Sequence, residues 1–326
     1  MAPLAVSYQN IIAASKRIKG HASITPLIES PLLNQQLGGR VLFKAENLQR
    51  TGSFKFRGAF NKLSKLAQAK QLNGVVAYSS GNHGQGVAAA AAYFGVPATV
   101  IMPCDAPMIK IANTKALGAK VILYQRHSED RDAIGRQLAK DHKLTLIPPY
   151  NDADIIAGQG TIGLEIALQL DTLKVTPDQA IGPVGGGGLM SGSATALKHH
   201  FPHITMWGAE PEGYDDAARS LASGSLLANK TSPASICDAI VTPILGELTF
   251  PIMLHFLTGA KAVNDQHVLE AMAVCMQQLK IVVEPGGCVG LAAILNKSLP
   301  VAGKTSVVIL SGGNVDPAML NLALSQ

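Results

Sequence analysis

Short apolar segments alternate with helical segments from residue 74 onward, and glycine-rich turns follow several of the apolar segments. The segments 75–78, 98–102 and 119–124 are typical of buried strands, and segments with helical periodicity separate them. Strands joined through single helices require right-handed crossovers, so this pattern predicts a parallel sheet. The block from 74 to 151 is therefore expected to form a compact subdomain.

The rest of the chain continues the alternation on a larger scale. Further apolar strands are predicted at 41–45, 179–184, 204–209 and 305–310. We therefore expect an α/β protein with two parallel-sheet domains, the smaller inserted into the larger. The larger domain is predicted to comprise 1–73 and 152–326, and the smaller 74–151. The most loop-like stretch is 220–235.

Composition argues against several functional classes. Net charge is +5, but the 27 basic residues are scattered and not interleaved with aromatic residues, so nucleic-acid binding is not expected. No apolar run approaches the length of a membrane span and the N-terminus lacks a secretory pattern, which favours a soluble cytoplasmic protein. The four cysteines, Cys104, Cys237, Cys275 and Cys288, have no metal-type or redox-type spacing and are predicted to be buried, reduced thiols.

Lys55 lies between two aromatic residues, Phe54 and Phe56, where the turn after strand 41–45 leads into a helical segment. An amine set among apolar side chains loses hydration, which lowers its pKa. The neutral amine is a nucleophile that can form a Schiff base with a carbonyl group. Lys55 is therefore either such a nucleophile or a surface lysine at the start of a helix.

The loop 79–83 (Ser-Ser-Gly-Asn-His) joins strand 75–78 to an alanine-rich helix. Amides at a helix N-terminus form an anion site, so this loop could hold a carboxylate, with Ser79, Ser80 and Asn82 adding hydrogen bonds. The alternative is an ordinary turn in which serine or asparagine caps the helix. His83 is a candidate base by residue type, although a single histidine at a helix start is more often structural.

The segment 84–89 (Gly-Gln-Gly-Val-Ala-Ala) matches the dinucleotide-binding fingerprint, and Asp105 lies near the place of the acid that binds ribose. In that fingerprint the first glycine follows the strand directly. Several residues separate the strand from Gly84 here. A nicotinamide-dependent oxidoreductase stays open as an alternative from a different class.

A run of four glycines follows the predicted strand 179–184 and opens a helix. Its members, with the residue after them, are Gly185, Gly186, Gly187, Gly188 and Leu189. Adjacent exposed amides and a helix dipole favour a phosphate. Because no Lys-Ser or Lys-Thr pair follows, the phosphate is expected to be the handle of a cofactor rather than a group that is transferred. The alternative is a flexible turn.

Ser311 begins a third loop, Ser-Gly-Gly-Asn, directly after the last predicted strand. Ligand sites in parallel sheets gather at the carboxyl ends of the strands, so the loops at 81, 185 and 312 are expected to converge. Ser311 would place a neutral hydroxyl there. Glu284 begins a further turn, Glu-Pro-Gly-Gly, which either lines the same pocket or lies at the surface.

Carboxylates are dense in the segment 210–216 (Glu-Pro-Glu-Gly-Tyr-Asp-Asp), directly after a predicted strand. Such a group can supply oxygen ligands to a hard divalent cation. The alternative is a solvated acidic turn.

The four stretches around Lys55, 79–84, Gly185 and Ser311, taken in this order, resemble the fold type II pyridoxal phosphate enzymes, in the branch of threonine/serine dehydratases and serine racemase. The likeness covers nearly the whole chain and implies a tryptophan synthase β-like fold. It also implies pyridoxal 5′-phosphate as cofactor, a small hydroxy-amino-acid substrate and a homodimer.

The resemblance implies a role for each matching position. Lys55 would form the Schiff base and exchange protons on one face, and Ser80 would be a second acid or base on the other. The other cofactor-binding positions would be Phe54, Asn82, Gly185, Gly186, Gly187, Gly188, Leu189, Glu284 and Ser311. The substrate carboxylate would be bound by Ser79, Ser80, Gly81, Asn82 and His83. Mg²⁺, Mn²⁺ or Ca²⁺ would be bound by Glu210, the Tyr214 carbonyl and Asp216.

The implied reaction is dehydration and deamination of L-threonine and L-serine to a 2-oxo acid and ammonia. A serine at the pyridine nitrogen favours protonation of that nitrogen less than a carboxylate would, which suits prompt loss of the β-hydroxyl after α-proton removal. The alternatives are a serine racemase and a threo-3-hydroxyaspartate dehydratase. Arg131 would accept the second carboxylate of hydroxyaspartate if it reaches the pocket; otherwise it is a surface residue.

Overall fold

The computed structural model describes residues 3–126, 128–230 and 234–325. The strands are β1 (Leu27–Glu29), β2 (Arg40–Ala45), β3 (Val75–Tyr78), β4 (Ala98–Pro103), β5 (Lys120–Tyr124), β6 (Thr145–Leu146), β7 (Gln179–Pro183), β8 (Thr205–Pro211), β9 (Gly259–Val263) and β10 (Thr305–Leu310). The helices are α1 (Tyr8–Ile18), α2 (Pro31–Leu37), α3 (Lys55–Gln68), α4 (Asn82–Tyr93), α5 (Met108–Ala116), α6 (Arg131–Asp141), α7 (Ala153–Leu173), α8 (Gly188–His200), α9 (Asp216–Ser223), α10 (Thr249–Phe256), α11 (Asp265–Val274), α12 (Val289–Leu295) and α13 (Pro317–Leu324).

The strands of the described ranges form two sheets, one of six strands in the order β1-β2-β10-β7-β8-β9 and one of four in the order β5-β4-β3-β6. Every pairing is parallel except that of β1 with β2. The predicted architecture of two parallel-sheet α/β units is confirmed, with one short antiparallel strand added at the edge of the larger sheet. The domain limits 1–73, 74–151 and 152–326 stay a prediction.

Capping side chains set several helix starts. Asp152 caps α7 by accepting from the amides of Asp154 (2.9 Å) and Ile155 (3.1 Å). Asp130 caps α6 in the same way, so this helix begins at Arg131. The sequence predicts this helix over 127–142, and position 127, like part of the predicted loop, 231–233, lies outside the described residues. The loop expected at 220–235 begins later than predicted, because α9 extends to Ser223.

Strands β2 and β10 are buried along nearly their whole length and are mainly apolar, as strands covered by helices require; the buried Lys44 on β2 is a charged exception. Cys237, Cys275 and Cys288 are buried free thiols, as predicted. Cys104 is also a free thiol, but its predicted burial is wrong, because it follows β4 at the protein surface, where its thiol donates to Gln125 Oε1 at 3.1 Å. In the described part of the chain, no helix is both long and apolar enough to span a bilayer.

A buried ion cluster fixes the helix that begins at Lys55. We call Lys44, Glu46, Arg57 and Glu165 the helix cluster. Arg57 on α3 makes a two-bond contact with Glu46 (2.8 and 2.8 Å) and also reaches Glu165 on α7 at 2.6 Å. Lys44 on β2 lies 2.9 Å from Glu165. Two cations and two carboxylates thus join β2, α3 and α7.

Candidate active site

One cavity lies where the carboxyl ends of the two sheets face each other. It measures about 850 Å³ when the space at its open mouth is included. Segments that follow β3, β6, β7 and β10 all contribute to its wall, so the predicted convergence of the glycine loops is confirmed. The predicted residues that line it are Phe54, Lys55, Ser79, Ser80, Asn82, His83, Arg131, Gly185, Gly186, Gly187, Gly188, Leu189 and Ser311.

Lys55 is the first residue of α3 and lies in the cavity wall rather than at the outer surface. Its Nζ donates to the Pro149 carbonyl at 2.9 Å and lies 5.2 Å from the centre of the Phe54 ring. Burial lowers the pKa of Lys55 to about 8, although the negative charge of Glu284 acts in the opposite direction. A far larger fraction of the amine is therefore neutral and nucleophilic at neutral pH than in a lysine with the ordinary pKa of 10.5.

The glycine run between β7 and α8 has the form of an anion site. Gly187 precedes α8 with φ +89°, a conformation that favours glycine. The amides of Gly185, Gly186 and Gly187 donate to no acceptor within the described ranges. Unpaired amides and the positive end of a helix dipole therefore face the cavity, which is an arrangement that suits a phosphate.

Loop 79–83 is held by its own hydrogen bonds. Ser79 Oγ accepts from the Gly81 amide at 2.9 Å, and Ser80 Oγ lies 3.4 Å from the Asp238 carbonyl. His83 Nε2 contacts the Ile147 carbonyl at 2.9 Å, so this nitrogen carries the hydrogen. Burial, and then the charge of Lys55, lower the pKa of His83 to about 3. His83 is thus a neutral, positioned side chain, in agreement with the structural interpretation.

Asn82 is fixed from two sides. Its Nδ2 donates to Glu284 Oε1, and its Oδ1 accepts from Asn314 Nδ2 at 2.9 Å. Glu284 is only 2% exposed, so the turn that it begins is internal and not a surface turn. Glu284 does not line the cavity itself but accepts a hydrogen bond from Asn82, which does. Gly81 is likewise not among the lining residues.

The glycines of the dinucleotide fingerprint serve helix packing. Gly84 and Gly86 lie within α4. A Cβ added at Gly84 would fall 2.6 Å from Val100 Cγ1, and one added at Gly86 would fall 3.0 Å from the Lys55 carbonyl carbon. These two glycines allow α4 to approach β4 and α3 closely. They do not form the turn after a strand that the dinucleotide fingerprint requires. Asp105 is paired with Arg126 at 3.1 Å. The local structure therefore differs from that of a dinucleotide site.

Arg131 lines the cavity, so it is not simply a surface residue of α6. Its guanidinium lies 5.3 Å from the centre of the Tyr78 ring. Within the described ranges its one ion-pair contact is a long one, from Nε to Asp132 Oδ2 at 3.8 Å. A cation with such weak internal pairing is available to a ligand carboxylate.

Several cavity residues were missed from the sequence. They are Tyr78, Arg126, Pro149, Tyr150, Asp238 and Thr242. Arg126 follows β5 and Tyr150 follows β6, so the rule that sites gather at strand carboxyl ends could have indicated both. Asp238 and Thr242 come from an irregular segment that carries no such signal.

The predicted metal ligands lie at the end of β8 and the start of α9. Glu210 and Asp216 are almost fully buried, and Glu210 accepts from the amides of Ala217 (3.1 Å) and Ala218 (2.9 Å). Burial and the nearby Asp216 raise the pKa of Glu210, and burial raises the pKa of Asp216 to about 6. Among the described residues no group of three or more His, Cys, Asp or Glu side chains is arranged to hold a metal ion.

Residues 18–312 match the family model described as pyridoxal-phosphate dependent enzyme. The chain belongs to this family. It is 46% identical to the L-threo-3-hydroxyaspartate ammonia-lyase of Saccharomyces cerevisiae, over 95% of this chain and 94% of that one. It is 40% identical to the serine racemase of Schizosaccharomyces pombe, over 95% and 94% of the two chains.

A solved structure, the threonine deaminase of T.th., superposes on this pyridoxal-phosphate dependent enzyme with a TM-score of 0.90 at 43% identity, covering 95% of this chain and 99% of that one. The resemblance drawn from the four motifs is therefore confirmed, and so is the tryptophan synthase β-like fold. The enzyme is of the ammonia-lyase type, in a group that also contains racemases. Family membership decides against the nicotinamide-dependent alternative.

The cavity fits pyridoxal phosphate by its own chemistry. The unpaired amides from Gly185 to Gly187 suit its phosphate, and the amine of Lys55, with its lowered pKa, suits its aldehyde. Ser311 lines the same cavity from the end of β10. The roles assigned to the individual residues stay predictions.

Proposed function

We propose that this enzyme converts 3-hydroxy amino acids to 2-oxo acids and ammonia, and that L-threo-3-hydroxyaspartate fits its cavity best. The weakly paired guanidinium of Arg131 in the cavity wall carries this proposal. L-Serine and L-threonine have the same reacting atoms but no second carboxylate. They are therefore expected to react in the same cavity less efficiently.

The cofactor, Lys55 and loop 79–83 each have a part in this proposal. When bound, pyridoxal phosphate supplies an aldehyde and a ring that delocalises the negative charge of the substrate α-carbon. Lys55 removes the α-proton, since burial lowers its pKa to about 8 and so raises the fraction of neutral amine near neutral pH. The amides of loop 79–83 at the start of α4 bind the α-carboxylate. The β-hydroxyl leaves as water, and hydrolysis of the resulting enamine gives the 2-oxo acid and ammonia.

Arg131 differs in pairing from the other arginine of the cavity. Arg126 lies 3.1 Å from Asp105 and 3.1 Å from Asp238, so its charge is already compensated. Arg131 contacts the face of Tyr78 and has only the contact with Asp132 at 3.8 Å within the described ranges. A carboxylate on the substrate side chain would supply the planar two-oxygen partner that a guanidinium binds well.

The test is a substrate panel of L-serine, L-threonine and both 3-hydroxyaspartate diastereomers, scored for 2-oxo acid. We expect the highest kcat/KM for L-threo-3-hydroxyaspartate. Arg131→Gln should lower that value by about 10- to 100-fold, because a charge-assisted contact is lost, and should change the value for L-serine little.

Arg136 on the same helix is exposed and provides the matched control. Arg136→Gln should leave both substrates unaffected. A wild-type preference for L-serine, or an equal loss for both substrates in Arg131→Gln, would contradict the assignment of Arg131.

Racemisation of serine is a second candidate activity, supported by the hydroxyl of Ser80 in the cavity that Lys55 also lines. In this proposal Ser80 donates or accepts a proton on the face opposite Lys55. Ser80→Ala should reduce D-serine formation from L-serine more than it reduces 2-oxo acid release. Equal reduction of both products would count against two opposed bases.

We further propose a divalent cation, Mg²⁺, Mn²⁺ or Ca²⁺, at Glu210, Asp216 and the Tyr214 carbonyl. Support comes from two buried carboxylates that lie near each other and from Asp216 Oδ2, which has no hydrogen-bond partner within the described ranges. Chelation should lower the melting temperature of the wild-type protein. Asp216→Asn should remove that response, whereas a wild-type protein indifferent to chelator would indicate that Glu210 only caps α9.

A homodimer and a cytoplasmic location complete the proposal. The dimer rests on the resemblance to the family alone. The four free cysteines are in keeping with a reducing compartment. Sedimentation of the purified protein gives the oligomeric state directly.

A further inference from the structure

Lys110 is a buried cation that the proposed reaction does not use. It lies in the interior of α5, next to the four-stranded sheet, and is 2% exposed. Its Nζ lies 2.8 Å from Glu284 Oε2 and 3.6 Å from Asp238 Oδ2. Both carboxylates belong to segments of the chain outside the block 75–146 that contains the four-stranded sheet. Lys110 thus joins the two sheet units, and its burial requires these partners.

The aliphatic part of Lys110 supports loop 79–83 directly. A Cβ added at Gly81 would fall 2.2 Å from Lys110 Cδ and 2.7 Å from its Cβ and Cγ. The backbone of the loop therefore rests on the lysine stem, and no residue larger than glycine fits at position 81. A shift of the stem would move the amides on either side of Gly81.

The ammonium of Lys110 acts on the same loop through a second route. Glu284 presents one oxygen to Lys110 and the other to Nδ2 of Asn82. Asn82 Oδ1 in turn accepts from Asn314 at 2.9 Å, which fixes the orientation of the amide. Burying a carboxylate that is 2% exposed is costly unless a cation pairs with it, and Lys110 lies 2.8 Å from Glu284.

We propose that Lys110 is a positioning residue of the active site. Its stem supports Gly81 and its ammonium orients Glu284, and together they set the position of Asn82 and of loop 79–83 relative to the six-stranded sheet. The ligands that this loop and Asn82 contact are those of the proposed function, on which the inference rests. The arrangement itself is a property of the protein and can be measured without any substrate.

A further ion pair reinforces the same junction. Arg126, which follows β5, lies 3.1 Å from Asp238, the second carboxylate near Lys110. We call Lys110, Arg126, Asp238 and Glu284 the loop cluster. Two cations from the side of the four-stranded sheet therefore meet two carboxylates from the side of the six-stranded sheet.

The test is a double-mutant cycle with Lys110→Met, Glu284→Gln and the double variant. Lys110→Met leaves Glu284 without its cation, Glu284→Gln leaves Lys110 without its closest carboxylate, and the double variant leaves neither. Lys65→Met is the matched control, because Lys65 also pairs with a carboxylate, at 2.6 Å, but on the surface. Each protein is examined by hydrogen exchange of the cofactor-free form and by titration with pyridoxal phosphate.

We expect Lys110→Met to speed amide exchange in residues 80–83 by about tenfold and to weaken pyridoxal phosphate binding by about tenfold. The visible absorption spectrum of the bound cofactor should also change, which a loss of overall stability would not cause. Glu284→Gln should have a similar effect. In the double variant the loss of cofactor affinity should be much smaller than the product of the losses in the two single variants. Lys65→Met should match the wild type.

Wild-type exchange and wild-type cofactor affinity in Lys110→Met would overturn the inference, as would losses that multiply in the double variant. If Lys110→Met does not fold, Glu284→Gln and the double variant decide. Cofactor binding in the double variant that is as tight as in Glu284→Gln, or tighter, supports the pair, and weaker binding overturns it. A protein that passes these tests yet forms no 2-oxo acid would disprove the proposed function and leave the role of Lys110 intact.

Discussion

The helix cluster and the loop cluster each contain two cations and two carboxylates, yet they do different things. Arg57, Lys44 and Glu46 of the helix cluster are fully buried, and their partners lie on β2, α3 and α7 around one sheet. The loop cluster crosses between the two sheets, and Arg126 and Asp238 line the cavity. Both clusters pair two cations with two carboxylates, but the helix cluster stabilises the fold, whereas the loop cluster sets the geometry of the site.

The difference lies in what each cluster holds. The helix cluster fixes α3 two residues after Lys55, within a part of the molecule that is packed on all sides. The loop cluster holds a glycine loop, whose backbone at Gly81 lies against the Lys110 stem and whose Asn82 donates to Glu284. Loss of one charge should therefore destabilise the whole fold in the first case and displace ligand-binding groups in the second.

The largest expected effect comes from breaking the helix cluster. Arg57→Met should lower the free energy of unfolding by about 3–5 kcal/mol, because Glu46 would remain buried without a cation. Urea denaturation measures the change. Adding Glu46→Gln to Arg57→Met should recover part of the loss, and a single variant as stable as the wild type would remove the contrast between the clusters.

The next effect concerns Lys55, which precedes Arg57 of the helix cluster by two residues and feels the charge of Glu284 of the loop cluster. The pKa of this group falls from 10.5 to about 8 in the folded protein, so its neutral form is present from a lower pH than in the unfolded chain. The rate at which the cofactor-free protein reacts with an aldehyde should therefore rise through about pH 8. Peptide mass analysis after borohydride reduction reports the adduct on Lys55 at each pH.

Glu284→Gln sharpens the same measurement. The charge of Glu284 raises the pKa of Lys55 against the effect of burial, so its removal should shift the reaction profile to lower pH. A profile centred near pH 10.5 in the wild type, the ordinary pKa of a lysine, would instead indicate a solvated side chain.

The smallest expected effect is that of a surface pair. Lys65 is about half exposed and lies 2.6 Å from Asp154, closer than several pairs of the two clusters. Lys65→Met should nevertheless change the free energy of unfolding by less than about 1 kcal/mol, because solvent screens exposed charges. A larger loss measured by urea denaturation would show that distance, rather than burial, decides the strength of these pairs.

Much of the fold was predictable because strand and helix periodicity is local. The predicted strands at 75–78 and 305–310 coincide with β3 and β10, and Lys55 opens α3 as expected. The short strands β1, β6 and β9 were missed. Their two to five residues are too few for a periodic pattern, and pairing with a neighbouring strand defines them.

The site was predictable to the extent that its residues follow strands directly. Loop 79–83, the glycine run and Ser311 leave strands at the same edge of their sheets, and the topology brings them together. The exposure of Cys104 was not predictable, since an isolated cysteine carries no periodic signal. Nothing in the local sequence distinguishes Lys110 from other helix lysines.

The sequence by itself determined the alternation of strands and helices, the glycine turns at strand ends and the placement of Lys55 among aromatic residues. These are short-range properties, set by backbone geometry and by side chains a few positions apart. Only the tertiary structure decided that Glu284 is internal, that Arg131 reaches the cavity and that Lys110 joins the two sheets. Charge pairing between residues more than a hundred positions apart depends on burial and distance, which exist only once the chain has folded.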